Sequence, residues 1–194
     1  MIYYFKYNKN TPFNINDYLN ILPNNILEDL KLKKTEFGKI SKVIGYVLLL
    51  QALKDLNIKT LPILEYNQYG KPFLKNIPNL YFNISHTNDE DNLYLVLVID
   101  NEEVGIDIEL IKTRKDSLIR YCTNDLEYQS IINSHNKDKE FTRLWTKKES
   151  YLKCIGTGIT KDLKNCLSNI NYTFEEEIKD NLIITVCKKI DIEK

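Results

Sequence analysis

Apolar and polar residues follow two different periods along the chain, which predicts a mixture of helices and strands. The clearest helix covers Glu36 to Leu56, where apolar residues recur on one face at helical spacing. Further helices are predicted from Ser117 to Ser134 and from about Lys139 to Cys154. The last helix is expected to end near Gly156, because glycine readily takes the left-handed conformation that closes a helix.

Short runs rich in β-branched and aromatic residues predict strands. The predicted strands are Met1 to Tyr7, Tyr81 to Ser85, Leu93 to Asp100, Val104 to Glu109, Tyr172 to Glu177 and Leu182 to Cys187. The order is strand, helix, strands, and then the same again, which is typical of an α+β protein. The polar link from Asp100 to Glu103 separates the two series. We therefore predict an N-terminal lobe of residues 1–102 and a C-terminal lobe of residues 103–194, packed as one compact unit.

The composition is that of an ordinary soluble globular protein, with 43% hydrophobic and 28% charged residues. Lysine plus arginine equals aspartate plus glutamate, at 27 each, so no overall field attracts nucleic acid or an anionic membrane. Neither is expected as a partner, and an anionic ligand must be held by a local cluster of charge. The longest apolar run, Leu93 to Ile99, is too short to span a bilayer.

The cysteines and the N-terminus bear on the compartment. The four cysteines lie far apart without a CxxC pair, which disfavours both a zinc site and a disulfide framework. The aromatic residues after Met1 are followed at once by Lys6, which is unlike a signal peptide. These features predict a protein of the reducing cytoplasm.

The strand from Val104 to Glu109 carries two acidic residues on one face. Because alternate side chains of a strand share a face, Asp107 and Glu109 project together, away from Ile106 and Ile108. Two carboxylates suit a hard cation such as Mg²⁺, which typically takes one or two carboxylates with phosphates and waters. The alternative is an amphipathic strand with a solvated acidic face.

The predicted helix after Lys139 places Trp145, Glu149 and Lys153 in one stripe, since residues four apart are neighbours on a helix. In a structural interpretation, Trp145 packs in the core and Glu149 forms a surface ion pair with Lys153, worth only ~0.3–0.5 kcal/mol. In the functional interpretation, Glu149 is a third carboxylate for the metal and Lys153 reaches a phosphate.

Two further segments carry groups that bind anions. Ser85 and His86 end a predicted strand, and the serine hydroxyl and the histidine ring both donate to phosphate oxygens. Lys71 follows Gly70 in a turn, where glycine permits close backbone approach and lysine supplies a positive charge. Each segment has a plainer alternative, a capped turn at His86 and a surface turn at Lys71.

In chain order, the segments YGKP, FNISH, GIDIE and LWTKKESYLK resemble the signature motifs of the Sfp-type 4′-phosphopantetheinyl transferases. The matches run from Tyr69 to Lys153, nearly half of the chain. The pairing of GIDIE with a later W-x-x-K-E-x-x-x-K is far more specific than an isolated D-x-E. The resemblance implies an α+β fold of two pseudo-symmetric lobes, with the cofactor cleft between them, in a monomeric protein.

The resemblance also implies a reaction. The 4′-phosphopantetheine group of coenzyme A passes to a serine of an apo acyl, peptidyl or polyketide carrier protein, and 3′,5′-ADP leaves. The reaction needs Mg²⁺, with Mn²⁺ as a possible substitute.

Carried over position by position, the resemblance implies a set of site residues. The implied metal ligands are Asp107, Glu109 and Glu149. The implied contacts to coenzyme A are Lys71, Ser85, His86, Lys148 and Lys153. Lys148 and Lys153 are expected near the diphosphate, and Lys153 is expected to stabilise charge during transfer. Glu149, directly or through a water molecule, is the candidate base for the acceptor serine.

The sequence departs from the family on its first long helix. Family members usually carry arginines there that hold the 3′-phosphate of coenzyme A, whereas this chain has Lys39, Ser41, Lys42 and, further on, Leu50. Lysine lacks the bidentate fork of arginine. With Lys39 or Lys42 as the substitute, we expect weaker discrimination between coenzyme A and its dephospho form.

Recognition of the carrier is expected on the segment from Lys112 to Ser130, which follows the acidic strand. Its basic residues are Lys112, Arg114, Lys115 and Arg120. They would steer an acidic carrier protein despite the zero net charge of the chain. The alternative is a solvated helix of mixed charge.

Three other functions compete with the transferase. A metal-dependent phosphodiesterase would cleave coenzyme A or a nucleotide without any carrier. A non-catalytic coenzyme A-binding relative would have no need of the acidic residues and Lys153 together. A purely structural domain leaves the coincidence of four segments unexplained.

Overall fold

The computed structural model describes residues 1–158, 163–168 and 170–190. The strands are β1 (Ile2–Asn8), β2 (Leu64–Tyr66), β3 (Pro72–Leu74), β4 (Tyr81–Asn88), β5 (Asn92–Asp100), β6 (Val104–Leu110), β7 (Tyr172–Lys179) and β8 (Leu182–Lys189). The α-helices are α1 (Asn24–Leu32), α2 (Glu36–Asp55), α3 (Asp116–Cys122), α4 (Asp125–Ile132) and α5 (Lys137–Ile155), and Ile15–Ile21 forms a 3₁₀ helix. Within these ranges, no helix has the length and apolar character needed to cross a membrane.

Two antiparallel sheets pack face to face, and β5 is the central strand of the first sheet. The first sheet has the order β1-β5-β4, the second has the order β6-β8-β7, and β2 pairs with β3 in a separate hairpin. One side of β5, with Val96 and Val98, packs against β6 and β8, and the other side, with Leu97 and Ile99, packs against α2. A strand covered on both faces needs a continuous apolar run, which explains why β5 shows no alternation.

Helix α5 covers the outer face of the second sheet, as α2 covers that of the first. The hydroxyls of Thr146 on α5 and Thr185 on β8 lie 2.7 Å apart in a buried hydrogen bond. The resulting layers are helix, sheet, sheet and helix, so the α+β class predicted from the element order is confirmed. The lobe boundary between residues 102 and 103 and the pseudo-symmetry of the lobes stay predictions.

The ends of the two long helices follow from local chemistry. The Thr35 hydroxyl accepts the backbone N–H of Gly38 and begins α2. The Asn136 side chain accepts the backbone N–H of Lys139 and begins α5. Gly156 ends α5 with φ of 71°, the left-handed conformation predicted for it.

The helical region predicted from Ser117 to Ser134 consists of two helices, because the chain forms α3 and α4 with a break between them. Thr123 is extended at the break, with φ −123° and ψ 149°. Asn124 then starts a new helix through a capping box, in which its side chain accepts the N–H of Glu127 and the Glu127 carboxylate accepts the N–H of Asn124. Apolar periodicity alone does not register such a restart.

Candidate active site

The site forms where β6 lies against α5, and Gly105 permits the close approach. A Cβ atom at Gly105 would lie 2.1 Å from the carbonyl oxygen of Ser150 and 2.4 Å from the backbone nitrogen of Cys154. Both distances are far shorter than van der Waals contact, so only glycine lets the helix lie this close. Asp107 and Glu109 share the face of Gly105 and therefore point towards α5.

Asp107 is the centre of a triangle of hydrogen bonds. Its Oδ1 accepts from the Ser85 hydroxyl on β4 at 2.8 Å and from the Lys153 ammonium on α5 at 2.6 Å. The same ammonium lies 2.8 Å from the Ser85 oxygen. The Asp107 side chain is only 5% exposed, which rules out the alternative of a solvated acidic face at this position. Lys153 pairs with this carboxylate instead of forming the surface pair with Glu149.

Glu149 lies one helical turn before Lys153 and faces the same carboxylates. Burial, with the negative charge of Asp107 as the next cause, raises the pKa of Glu149 to about 7. Among the described residues, two buried carboxylate oxygens have no hydrogen-bond partner, Oε1 of Glu149 and Oδ2 of Asp107. Buried polar atoms are rarely left in this state, so the pair indicates a place for a bound group.

Glu109 is held by two neighbours at the edge of this site. The indole N–H of Trp145 donates to its Oε1 at 3.4 Å, and the Arg114 guanidinium lies 3.5 Å from its Oε2. Burial and the charge of Asp107 raise the pKa of Glu109, and Arg114 opposes that shift. Trp145 therefore orients a carboxylate as well as packing in the core.

A divalent cation fits this corner through Asp107 and Glu149. In the part of the chain that the structure describes, no three acidic, histidine or cysteine side chains converge into a complete metal cluster. Mg²⁺ needs no such cluster, because it usually takes one or two carboxylates and completes its shell with phosphate and water. The two partnerless oxygens of Asp107 and Glu149 are hard ligands of this kind. Glu109 as a third ligand stays a prediction.

A cleft of about 250 Å³ opens beside Glu149 and Lys153. One wall is the turn from Tyr69 to Pro72, and another includes Asn83 of β4. The Asn83 side-chain oxygen accepts the backbone N–H of Ile106 at 2.9 Å and so joins the edges of the two sheets. The cleft therefore lies where the two sheets meet.

A second cavity, of about 230 Å³, continues this cleft, because both are lined by Gly70, Pro72 and Ile84. Its lining residues include Lys33, Ser41, Lys42 and His86. Together the two cavities form one groove, which runs from the carboxylates to a basic end.

The basic end of the groove carries one internal ion pair. The Lys42 ammonium lies 2.7 Å from the Asp29 carboxylate, and both side chains are partly exposed. Loss of hydration, with the positive charges of Lys153 and Lys33 as the next causes, lowers the pKa of His86. Lys42 and His86 thus lie together in the groove, while Lys39 is not among its lining residues.

The structure corrects the interpretation of Lys148, which was expected near a diphosphate. Its side chain is 1% exposed, and its ammonium lies 2.7 Å from the carboxylate of Glu127. The same ammonium donates to the backbone carbonyls of Cys122, Leu163 and Lys164, at 2.8, 3.0 and 2.9 Å. A cation enclosed by four acceptors is not available to a ligand in the groove. Its role is to hold α5, the α3–α4 break and the segment at 163–164 together.

Lys71 lines the cleft, but its ammonium faces the protein. It donates to the carbonyl oxygens of Cys154 at 2.6 Å and Val104 at 3.4 Å, and burial lowers the pKa of Lys71. A positive charge at the C-terminal end of α5 is favourable, because the last carbonyls of a helix are unpaired and partly negative. Lys71 therefore fastens the turn to the helix, and its contact with a phosphate stays a prediction.

Comparison with known proteins identifies the family. The chain is 33% identical over 149 residues to the 4′-phosphopantetheinyl transferase AcpT of Escherichia coli O157:H7, covering 71% of each chain. The chain belongs to the 4′-phosphopantetheinyl transferase superfamily. The family model of that description matches residues 103–186.

Bacillus members of the superfamily match a shorter part. The chain is 32% identical over 111 residues to the transferase psf-1 of Bacillus pumilus, and 31% identical over 99 residues to Sfp of Bacillus subtilis strain 168. These matches cover 56% and 50% of this chain, and 46% and 42% of the relatives. The chain thus matches less than half the length of these phosphopantetheinyl transferases.

Two residues of the site in this phosphopantetheinyl transferase family member, Lys33 and Gly105, were not predicted from the sequence. Lys33 reaches the groove from the connection between α1 and α2, and its place in an exposed run of lysines gave no signal. Gly105 did carry a signal, because an isolated glycine inside a strand often marks close backbone approach.

Proposed function

We propose that the chain transfers the 4′-phosphopantetheine group of coenzyme A to a serine of an apo acyl or peptidyl carrier protein, with Mg²⁺ as the cofactor and 3′,5′-ADP as the product. The support from the chain itself is the placement of the unsatisfied oxygens of Asp107 and Glu149 beside Lys153, at the end of a groove with a basic far end. Such a groove suits a ligand with a diphosphate at one end and a further phosphate at the other.

The proposed reaction is a substitution at phosphorus. The carrier serine oxygen attacks the β-phosphorus that bears pantetheine, a new P–O bond forms, and the bond from that phosphorus to the bridging oxygen breaks. The bridging oxygen leaves with 3′,5′-ADP. The proton of the serine passes to Glu149 or to a water molecule that Glu149 orients. Because a carboxylate that holds a metal is a poor base, the water is an equal candidate.

Lys153 is the proposed source of positive charge for the diphosphate. Its side chain is 28% exposed and lines the cleft, so a change of rotamer brings the ammonium to an anion there. Asp107 and Glu149 would hold Mg²⁺, or Mn²⁺ in its place, and the ion when bound supplies further positive charge to the phosphate oxygens. Charge placed in advance where negative charge develops lowers the barrier of such reactions.

The carrier protein is proposed to dock on α3 and α4, within the segment from Lys112 to Ser130. Leu126 and Tyr121 are 85% and 68% exposed there, beside the basic residues of that segment. Arg120 is partly neutralised by Asp116, 3.0 Å away, and stacks on Tyr128. The segment therefore combines exposed apolar side chains with four basic and three acidic residues, and its basic side chains would contact an acidic partner.

A monomer in the cytoplasm is the proposed form of the protein. The thiols of Cys122, Cys154 and Cys187 are buried and reduced, which suits a reducing compartment. One chain contributes every residue of the corner around Asp107.

The test is intact-mass spectrometry of several apo carrier proteins incubated with the chain, coenzyme A and Mg²⁺. We expect each accepted carrier to gain the mass of one phosphopantetheine, and a carrier with alanine at the acceptor serine to gain none. Chelation of the metal should stop labelling. Absence of an adduct on all carriers would overturn the proposal, and release of 3′,5′-ADP without a carrier would favour a phosphodiesterase.

A pair of variants separates the site from the fold. Asp107→Asn should lower the rate of labelling by about a hundredfold or more, because a charged group of the site is lost. Asp100→Asn is the matched control, since Asp100 forms an ion pair with Lys188 at 2.9 Å at the end of β5. Equal rates for the two variants would remove Asp107 from the site.

A further inference from the structure

The ammonium of Lys153 lies 2.6 Å from Oδ1 of Asp107, on the carboxylate that is proposed to hold the metal. We propose that Lys153 is an internal counter-ion that holds the place of the divalent cation on Asp107 and leaves it when the cation binds, most readily with a diphosphate in the cleft to receive the ammonium. The proposal rests on the proposed function, because it concerns the same metal and the same diphosphate.

The buried carboxylate of Asp107 needs a positive counter-charge. Its side chain is 5% exposed, and a carboxylate so removed from water is costly unless it is paired. Glu149 and Glu109 lie near enough to interact with its charge, which adds to that cost. The Lys153 ammonium, 2.6 Å from Oδ1, supplies the neutralising charge in the absence of a metal.

The pairing with Lys153 occupies only one of the two carboxylate oxygens of Asp107. Lys153 and Ser85 both bond to Oδ1 of Asp107, and Oδ2 has no partner among the described residues. A divalent cation on Oδ2 and Glu149 would stand close to the ammonium. Two positive groups at such a distance repel each other strongly where water is scarce. Lys153 must therefore move away from Asp107 when a cation binds.

The cleft gives the ammonium of Lys153 a place to move to. The residue lines the 250 Å³ cleft and is 28% exposed, so its ammonium has an open path to that space. An anion in the cleft would receive the ammonium that the cation displaces. Binding of the cation and of the diphosphate would then strengthen each other, because such linkage is reciprocal. The cation alone would bind weakly.

The test is the affinity of the metal-free protein for Mn²⁺, measured by electron paramagnetic resonance of the free ion, without coenzyme A or carrier. Lys153→Gln keeps a hydrogen-bonding group and removes the charge, and we expect it to bind Mn²⁺ about tenfold more tightly than the wild type, a shift readily measured. Lys153→Arg, which keeps the charge, should stay close to the wild type.

Lys147→Met is the matched control, since Lys147 lies on the same helix but two residues before Glu149, on the opposite side. It should bind Mn²⁺ like the wild type. An affinity of Lys153→Gln equal to or below that of the wild type would overturn the proposal, as would the same gain in Lys147→Met.

A second measurement uses the wild type alone and so does not depend on the folding of a variant. The ammonium resonance of Lys153 in nitrogen-15 NMR should be protected from exchange in the metal-free protein and lose that protection with saturating Mg²⁺. An unchanged resonance would refute the counter-ion. Failure of carrier labelling with tighter Mn²⁺ binding in Lys153→Gln would refute the transferase alone, and the reverse pair of results would refute the counter-ion alone.

Discussion

Lys148 and Lys153 lie on the same helix and each neutralises a carboxylate from another element, but their surroundings differ. The ammonium of Lys148 is enclosed by Glu127 and three backbone carbonyls. Lys153 is partly exposed, and the carboxylate that it meets keeps one oxygen without a partner among the described residues. A network with every acceptor filled fixes the structure, whereas one with an open acceptor is able to exchange partners. The difference separates a lysine that holds the fold from one that we propose acts on a ligand.

The largest expected effect comes from breaking the filled network. Lys148→Met should lower the free energy of unfolding by about 3–5 kcal/mol, because Glu127 and three carbonyls lose a buried partner. Urea denaturation of this variant against Lys147→Met measures the loss. A loss close to that of Lys147→Met, with a raised KM for coenzyme A, would return Lys148 to the diphosphate and end the contrast between the two lysines.

The next largest effect is expected from a change that separates Asp107 on β6 from Lys153 on α5. Gly105→Ala places a methyl group against the backbone of α5 and should cost about 1–3 kcal/mol of unfolding free energy. Because Asp107 and Lys153 would separate, the rate of carrier labelling should fall further than the stability explains. Gly45→Ala is a control for stability alone, since its Cβ would meet Ile84 at an ordinary 3.4 Å, but Gly45 itself lines the second cavity of the groove. Full activity in Gly105→Ala would show that the distance between β6 and α5 is not critical.

A smaller effect is expected from the charge of Glu149 in the metal-free protein. Its folded-state pKa of about 7 lies above the ordinary value of 4.5, so the folded state binds the extra proton between these values. The free energy of unfolding should therefore fall as the pH rises from 4.5 to about 7, by up to about 1.4 kcal/mol per unit for one proton. Glu149→Gln should flatten that slope in urea titrations with a chelator present. An unchanged slope would place the proton elsewhere.

The smallest effect concerns a third lysine, which belongs to neither network. Among the residues that the structure describes, Lys42 is paired only with the partly exposed Asp29, and such pairs are worth little. Lys42→Met should raise the KM for coenzyme A by a few-fold and leave that for dephospho-coenzyme A unchanged. The wild type should itself discriminate less between the two donors than relatives with arginines on this helix. A discrimination equal to theirs would contradict the substitution of lysine for arginine.

The sequence predicted the elements whose pattern is local. The helix α2, the strand β5 and the hairpin of β7 and β8 follow from apolar periodicity, and Gly156 follows from helix capping. The helix α1 and the hairpin of β2 and β3 were not predicted, since each is short and gives a weak periodic signal. The break before α4 was missed because a capping box is read from hydrogen bonds rather than from hydrophobicity.

The site was predicted at the level of residues but not of partners. The alternation of β6 correctly placed Asp107 and Glu109 on one face, and helical spacing placed Glu149 and Lys153 together. Neither rule states which lysine of a helix is buried, and the assignment of Lys148 to the ligand came from the family resemblance alone. Burial of Lys148 depends on Glu127 and the carbonyls at 163 and 164, which are brought to it only by tertiary packing.

The shared core between the two sheets affects how the chain can be divided. Val96 and Val98 of β5 are covered by Ile106, Ile108 and their neighbours, which belong to the other half of the sequence. The family model matches residues 103–186. A fragment restricted to these residues would lack β5 and would expose Ile106 and Ile108 to water. We expect such a fragment to aggregate when expressed alone and to become soluble when residues 1–102 are co-expressed with it.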